Sequence, residues 1–500
     1  MFSLLDKTGS GKDKASAVPE TPVFFADLNL DQILDRICEG WGENVRKLYE
    51  VFPATKEDED YRREIYADIR KEDILSFMME YYRSIRERST YTQRKENASE
   101  PLQKQVWYLR EAVTYIYSMG TIHEELSSAP IRSEGMKAFA AFISECVTDE
   151  NYIKLKESAL KLWQELCSFR VVLTYEKERF TIAEGKGAGE YEQFLTECFP
   201  GQKRDFLSPF TDTGAYSKLE QEIVKLFKKK HKNFFKDLDI FCKEHPGYIH
   251  DGVSIVESEI VYYLAFAVFE DNMIKKGLSM CAPKPSEDKL TATALYDLAL
   301  ALTNMGSGKT VVPNELYLAG DENFFVLTGP NQGGKTTYGR SLGQLIYFTK
   351  MGLDVPAEAA SVPYYGNLWT HFSVEESVET GRGKLMDELV RLKPIMEDEQ
   401  TGAFIVINEL FTTAANYDAI EMGKRVLKFL SGKKCKGIYV THLGELSKSC
   451  DGVVSLRATV DKDNVQTFVI ERSETKEAGG TNRQVLKYKL TYEQLKERFS

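Results

Sequence analysis

One short stretch, LTGPNQGGKTTYGR at residues 327–340, constrains the fold of this chain more than any other. The apolar run FFVL precedes it, and residues with helix-compatible spacing and no proline follow it. Glycines between a strand and a helix let backbone N–H groups turn toward an anion, and the helix dipole favours negative charge there. The pattern G-x-x-x-x-G-K-[ST], which predicts a phosphate-binding loop, is filled by Gly329, Gly334, Lys335 and Thr336.

The residues of this loop have expected roles toward a nucleotide. Lys335 is expected to reach the β- and γ-phosphates, and the Thr336 hydroxyl is expected to bind Mg²⁺. The alternative interpretation is a glycine-rich turn without a ligand. The predicted nucleotide-binding residues are Gly329, Pro330, Asn331, Gln332, Gly333, Gly334, Lys335, Thr336 and Thr337.

A second stretch, TNMGSGKTVVPN at residues 303–314, contains the same Gly-Lys-Thr letters. Thr303 stands where the pattern requires its first glycine, and Pro313 follows closely behind the threonine. Because the residue before a proline leaves the helical region, no helix of useful length can begin at Lys309. This stretch therefore predicts a surface turn that joins a helix to a strand.

The apolar pattern divides the 500 residues into three predicted parts. Residues 1–22 are rich in Lys, Ser, Gly and Pro and are expected to form a flexible tail. Residues 23–290 carry helical spacing, with one strand pair expected at residues 168–183. Residues 291–500 alternate short apolar runs with helical segments, which indicates an α/β domain with a largely parallel sheet. The predicted fold class is thus multidomain, all-α with a small β element followed by α/β.

Composition and charge narrow the classes of function. A net charge of −11 argues against a globally basic nucleic-acid binder, although a local basic stripe can still bind DNA. No apolar run reaches the roughly 20 residues that span a bilayer. Eight cysteines without a C-x-x-C pair argue against a zinc site and for reduced thiols in the cytoplasm.

One lysine-rich stretch, KLFKKKHKNFFK, is the best candidate for a basic stripe. Such a cluster could neutralise phosphates and make binding salt-dependent, whereas the other interpretation is a solvated helix face. Its lysines are Lys225, Lys228, Lys229, Lys230, Lys232 and Lys236.

Two further apolar runs end in polar residues that fit a nucleotide site. Ligand-binding groups in open α/β sheets collect at the carboxyl ends of strands, and FIVIN ends in Asn408 with Glu409 next. Glu409 is the candidate to orient or deprotonate an attacking water, and a solvated strand-end carboxylate is the alternative. Asn408 keeps an oxygen for Mg²⁺ but lacks the charge of an aspartate. The run GIYVTH ends in His442, a candidate to polarise a γ-phosphate or a structural residue.

These motifs together resemble the ATPase domain of the MutS family, the DNA mismatch-repair ATPases of ABC type. The family loop T-G-P-N-x-G-G-K-[ST]-T is matched by residues 328–337. Flanking family segments are matched by Val312 to Glu315, Val355 to Ala357, Tyr417-Asp418 and Thr441-His442. Residues 24–290 resemble the family's core and lever helices, including the segment YRREIYADI.

The resemblance implies an ATPase that binds ATP and Mg²⁺ at the interface of a homodimer. It implies catalytic roles for Lys335, Glu409 and His442, and metal binding by Thr336 and Asn408. The partner would be mismatched, branched or distorted DNA held between lever arms in the cytoplasm. In this alignment, the stretch GSGKTVVPNELYL is the connector and strand that lead into the nucleotide site.

The chain also departs from the family pattern. A short tail stands where a mismatch-reading domain with a Phe-x-Glu wedge is expected, so this wedge is not expected to read mispairs. The signature run ETGRGKLMDEL has Gly383 and Lys384 where Ser and Thr are usual, and Asn408 replaces the usual Asp. LFTTAAN replaces a glycine-rich run, and the chain stops at LTYEQLKERFS without an appended segment. A short, divergent member of the family is therefore expected.

Two other functions stay open at this point. Asn408 and the altered signature are compatible with an ATP-gated binding module of little turnover. The acidic charge leaves open an ATPase that acts on RNA or ribosomes. A transporter subunit is disfavoured because no LSGGQ-like signature occurs.

Overall fold

The computed structural model describes residues 2–7, 22–169, 171–176, 179–184, 218–373, 383–398 and 402–473. The chain divides into two compact units, residues 1–4 with 68–260 and residues 5–67 with 261–500. The helices in the described ranges are α1 (Phe24–Asp27), α2 (Leu30–Ile37), α3 (Glu43–Tyr49), α4 (Lys56–Ile69), α5 (Glu72–Asn97), α6 (Pro101–Ser128), α7 (Glu134–Thr148), α8 (Glu150–Ser168), α9 (Lys218–Lys230), α10 (Lys232–Glu244), α11 (Asp251–Lys275), α12 (Leu298–Asn304), α13 (Lys335–Lys350), α14 (Lys384–Glu397) and α15 (Asn416–Gly432).

The strands in the same ranges are β1 (Val171–Glu176), β2 (Arg179–Glu184), β3 (Lys284–Ser286), β4 (Leu290–Leu295), β5 (Asn314–Leu318), β6 (Phe324–Thr328), β7 (Ala359–Pro363), β8 (Leu368–Phe372), β9 (Phe404–Asn408), β10 (Lys436–Val440), β11 (Val453–Val460) and β12 (Gln466–Arg472). A short 3-10 helix, Gly444–Lys448, follows β10. Helices and mixed sheets thus occur in one multidomain chain, which confirms the predicted fold class at this level.

In the described residues, the first unit contains helices and one β hairpin. Apolar residues at helical spacing bury one face of α5, among them Ile74, Phe77, Met78 and Tyr81. Strands β1 and β2 pair antiparallel, with Val171 opposite Glu184, so the predicted strand pair is confirmed. A buried ion pair joins the Arg88 guanidinium to the Glu257 carboxylate, which also accepts a hydrogen bond from the Tyr81 hydroxyl.

The part of the second unit that the structure describes contains two sheets. The larger sheet has the strand order β12-β11-β6-β10-β9-β8, and all its strands are parallel except β12, which pairs antiparallel with β11. Strands β6 and β9 are almost wholly buried, as expected for parallel strands covered on both faces. The apolar runs FFVL, FIVIN and the GIYV part of GIYVTH all lie in strands of this sheet, and the run VVSLRATV forms β11.

The smaller sheet was not foreseen from the sequence. Its order is β3-β7-β4-β5, with β3 parallel to β7 and the other pairs antiparallel. The segment PKPSEDKLT at residues 283–291, which spans the predicted division between residues 290 and 291, contributes to β3 and β4. Its strands are short and β3 is exposed, so the segment carries little of the apolar alternation that identifies a strand.

The grouping of residues differs from the predicted division in two places. Residues 5–67 belong to the same unit as the larger sheet, whereas the sequence placed residues 23–67 with the other helices. Residues 2–7 do not behave as part of a flexible tail, because Leu4 is fully buried and the Ser3 hydroxyl donates to Glu259. Residues 8–21 of the predicted tail lie outside the described residues.

Helix α11 is long and apolar enough to cross a membrane by length and composition, although no uninterrupted apolar run in it reaches roughly 20 residues. Its most apolar window is 72% buried inside the protein. The buried stretch runs from Ile260 to Ala267 and includes Tyr262, Tyr263 and Phe266. In the described residues it is therefore packed as a core helix.

Candidate nucleotide-binding site

The loop between β6 and α13 adopts a backbone that requires glycine at two positions. Gly334 lies at the N-cap of α13 with φ 85°, and Gly329 directly follows β6 with φ 138°. A Cβ added to Gly329 would lie 2.9 Å from the Cβ of Ala458 on the neighbouring strand β11. Only glycine satisfies both the backbone angle and the space available, so the glycine spacing follows from the geometry of the loop.

Lys335 begins α13 and lies inside the loop. Its side chain is 5% exposed, and Nζ donates to the main-chain oxygens of Gly329 and Pro330 at 3.0 Å each. Burial lowers the pKa of Lys335, and the nearby Glu409 carboxylate opposes this lowering. An ammonium group has three N–H donors. Two of them are used by the oxygens of Gly329 and Pro330, so one remains for an anionic oxygen.

The loop exposes its tip and buries its base. Asn331 and Gln332 are exposed, and Gln332 has a positive φ of 62°. Gly333 is buried and donates its N–H to the Pro330 oxygen at 3.2 Å. Backbone N–H groups at the start of a helix, joined to a turn with left-handed residues, form an anion-binding concavity.

The carboxyl ends of three parallel strands bring the predicted metal-binding oxygens together. In the sheet register Leu327 on β6 lies opposite Val440 on β10, and Val440 lies opposite Asn408 on β9. Thr336 follows the loop, and its Oγ1 donates to Asn408 Oδ1 at 3.1 Å. Both are oxygen ligands of the hard type that Mg²⁺ binds, but neither is the carboxylate that usually holds this ion together with water and phosphate oxygens.

Glu409 follows β9 directly and is held in an uncommon backbone conformation. Its φ is 54°, and its N–H donates to the Val440 oxygen at 2.9 Å. A left-handed conformation costs a residue with a Cβ roughly 1–2 kcal/mol. The sheet maintains this conformation at the edge where Lys335 and Asn408 also lie, which is where a general base would be needed.

His442 lies at the same edge of the sheet but is exposed. The preceding Thr441 is buried and donates its N–H to the Leu327 oxygen at 3.0 Å, which fixes the chain just before the histidine. His442 therefore stays a predicted member of the site, defined by its place after β10.

The Gly-Lys-Thr letters at residues 308–310 form the surface turn predicted from the sequence. The turn lies between α12 and β5, and Lys309 is exposed. Asn314, at the start of β5, donates Nδ2 to the Phe468 oxygen at 3.1 Å and accepts the Ile470 N–H at 2.7 Å. The segment thus contacts β12, and no helix begins at Lys309, as the sequence predicted.

The lysine stretch of the first unit spans two helices. Helices α9 and α10 are separated at His231, and the lysines project from exposed positions on both. The exposed members are Lys225, Lys228, Lys229, Lys230, Lys232 and Lys236. Their exposure is compatible with phosphate binding and with a solvated face, so the two interpretations stand as before.

Sequence reasoning missed two acidic residues that support the site. Asp27 accepts hydrogen bonds from Thr370 Oγ1 at 2.6 Å and from Arg391 Nη2 at 2.8 Å. Glu388, on α14, is 2% exposed and contacts the chain that follows Glu409. No local pattern marks either residue, because their partners are distant in sequence.

The signature run is only partly described. Residues 379–382 lie outside the described residues, whereas Gly383 is the N-cap residue of α14 and Lys384 is its first residue. The C-terminal segment LTYEQLKERFS also lies outside them.

The region that contains this site is similar in sequence to known proteins. Residues 325–483 match the MutS domain V family. The chain is 28% identical over 257 residues to the DNA mismatch repair protein MutS of Fervidobacterium nodosum, covering 50% of this chain and 30% of that protein. It is 26% identical over 384 residues to that of Chlamydia muridarum, covering 69% and 46%. The Solibacter usitatus protein is 30% identical over 164 residues, covering 32% and 19%. This chain therefore aligns with less than half the length of each relative.

Proposed function

Because the chain belongs to the MutS family through its nucleotide-binding region, we propose that it is an ATP-hydrolysing, DNA-binding protein. Residues 291–500 form its ATPase domain, and residues 23–290 supply core and lever helices. ATP sites at the interface of a homodimer couple the nucleotide state to clamping of mismatched, branched or distorted DNA. Recognition depends on DNA shape rather than on base sequence.

One observation carries the ATPase proposal: the carboxyl ends of β6, β9 and β10 bring the phosphate loop beside Asn408 and Glu409. Lys335 is placed to bind phosphate oxygens, and Thr336 with Asn408 is placed to hold Mg²⁺. When bound, Mg²⁺ supplies positive charge that stabilises negative charge on the transferred phosphoryl group. Glu409 orients or deprotonates the attacking water, and His442 is the proposed partner of the γ-phosphate.

The DNA-binding proposal rests on the relatives and on the lysine stretch of α9 and α10. Each relative named above is a DNA mismatch repair protein. The exposed lysines are suited to neutralise backbone phosphates, and such binding weakens steeply as salt rises. RNA or a ribosome presents the same backbone charge and is the alternative partner.

A second function, an ATP-gated binding module with little turnover, is favoured by one contact. Asn408 Oδ1 accepts the Thr336 hydroxyl at 3.1 Å and carries no charge. An aspartate at this position would hold Mg²⁺ more tightly and would strengthen the field on a γ-phosphate. In this alternative ATP binding closes the domain and turnover is very slow.

The experiment measures ATP hydrolysis by the full chain alone and with duplex, mismatched and four-way-junction DNA and with structured RNA, over a salt series. Lys335→Ala is expected to abolish hydrolysis, whereas the matched control Lys309→Ala is expected to leave it unchanged, because Lys309 is exposed in a turn. Stimulation by branched or mismatched DNA that declines with salt supports the proposal.

Three results would change the assignment. Tight ATP binding without hydrolysis, even with DNA, would favour the gated module. Stimulation by RNA alone would favour the RNA alternative. Hydrolysis that nucleic acids of every kind leave unaffected would count against DNA clamping.

A further inference from the structure

The segment from Glu409 to Phe411 has two residues in a backbone conformation that residues with side chains disfavour. Glu409 has φ 54° and Phe411 has φ 63°, and neither residue is a glycine. Such a backbone persists where surrounding groups hold it in place, and it is common where a side chain must be aimed. What holds this segment therefore decides where the Glu409 carboxylate points.

Strand β10 supplies part of the restraint. Its last residue, Val440, accepts the Glu409 N–H at 2.9 Å, and the Tyr439 hydroxyl donates to the Leu410 oxygen at 3.4 Å. These bonds fix the first two residues after β9. Neither bond involves Phe411, which also has a left-handed backbone conformation.

Glu388 supplies the remaining restraint. Its carboxylate accepts the Phe411 N–H at 3.1 Å through Oε2 and lies 3.5 Å from the Thr412 hydroxyl through Oε1. Glu388 is 2% exposed and Phe411 is also 2% exposed, so water does not replace these bonds in the folded protein. A charged acceptor makes a stronger bond to an N–H than a neutral one does.

Glu388 is itself firmly attached to a helix and a strand. It lies in the second turn of α14, whose first residue follows Gly383 of the signature run. His371 on β8 has its Nε2 3.0 Å from the Glu388 main-chain oxygen and is fully buried. A shift of α14 would therefore be transmitted through one carboxylate to the segment that aims Glu409.

We propose that Glu388 is a positioning residue that holds Glu409 in its hydrolytic orientation and couples the position of α14 to the rate of ATP cleavage. The inference rests on the proposed ATPase function, since Glu409 acts only if ATP is cleaved. Glu388 itself contacts no nucleotide in this proposal. Its removal should slow the chemical step and leave nucleotide binding nearly unchanged.

The test compares Glu388→Ala, Glu388→Asp and Glu388→Gln with the wild-type full chain. The alanine variant should lower kcat roughly 100-fold, since misplacement of a catalytic group by about 1 Å costs that much. The glutamine variant keeps an oxygen for Phe411 and should stay within about tenfold of wild type. The aspartate variant withdraws the acceptor by one methylene and should lie between them. ATP dissociation constants should stay within about threefold for all three, because Lys335 and the loop are unchanged.

Glu397→Gln is the matched control, because Glu397 lies on the same helix and its side chain is 66% exposed in an ion pair with Lys393. It should keep the wild-type kcat. If Glu388→Ala does not fold, the aspartate and glutamine variants still give the ordered decrease in kcat. Circular dichroism and ATP binding identify the folded variants.

A double-mutant cycle with Glu409→Gln separates positioning from general structural support. If Glu388 acts through Glu409, adding Glu388→Ala to Glu409→Gln should change the residual rate less than about threefold. Multiplying effects would overturn the proposal, as would a Glu388→Ala kcat within about threefold of wild type or an ATP affinity that falls as far as kcat. A wild-type chain that binds ATP but hydrolyses none would instead refute the ATPase function itself.

Discussion

The contact between Gly343 on α13 and Leu28 gives a prediction that can be worked out in detail. A Cβ added to Gly343 would lie 2.4 Å from Leu28 Cδ2 and 2.8 Å from Cδ1. Leu28 is fully buried, and its main-chain oxygen accepts Gln344 Nε2 at 3.0 Å, so the leucine has little room to move. Gly343→Ala should therefore force a collision between the phosphate-loop helix and the segment after α1.

The magnitude follows from two opposing effects. Replacing a helical glycine with alanine stabilises a helix by about 1 kcal/mol. Overpacking a buried contact costs about 1–3 kcal/mol, so Gly343→Ala should be destabilising by about 1 kcal/mol overall. In a Leu28→Ala background the collision is absent, and the same change should stabilise by about 1 kcal/mol. The coupling between Gly343 and Leu28 should thus be about 2 kcal/mol.

The assay is thermal unfolding of the wild type, both single variants and the double variant, without nucleotide. A coupling of this size corresponds to a difference of about 2 °C between the Tm changes in the two backgrounds, for a chain of 500 residues. Gly120→Ala is the control, because Gly120 lies inside α6 with open space around it and should show only the stabilisation. If the effects of Gly343→Ala were equal in both backgrounds, Leu28 would not pack on α13 as described.

Three further outcomes are expected. Glu409→Gln should lower kcat by roughly 10²–10⁴-fold with ATP affinity retained, as single-turnover hydrolysis would measure, and an unchanged rate would reject its role as base. Asn408→Asp should lower the Mg²⁺ concentration for half-maximal ATP hydrolysis about tenfold. A Mg²⁺ titration measures this midpoint, and an unchanged midpoint would contradict the expectation. Burial lowers the pKa of His371, so the folded state binds fewer protons than the unfolded state below pH ~6.5. The contribution of His371 to the free energy of unfolding should be present above that pH and should be lost as pH falls, by up to about 1.4 kcal/mol per pH unit. His371→Gln should therefore flatten the dependence of the measured free energy of unfolding on pH.

The loop between β6 and α13 and the strands beside it could be predicted from the sequence, because each depends on neighbouring residues. An apolar strand, two glycines at fixed spacing and a proline-free helix lie within residues 324–350. The same local logic excluded Lys309, since Pro313 prevents a helix there. Asn408 was expected beside Thr336 because parallel strands end at one edge, and their oxygens lie 3.1 Å apart.

Other features depend on contacts between residues far apart in the chain. Asp27 meets Arg391 across 364 positions, and Leu28 packs on Gly343, so residues that look like part of a helical domain belong to the unit of the phosphate loop. Periodicity predicts which face of a helix is buried but not what covers it. Glu388 was missed for the same reason, because no local sequence pattern distinguishes a buried carboxylate on an amphipathic helix from a solvated one. Burial and hydrogen-bond partners make that distinction, and both arise only when the chain has folded.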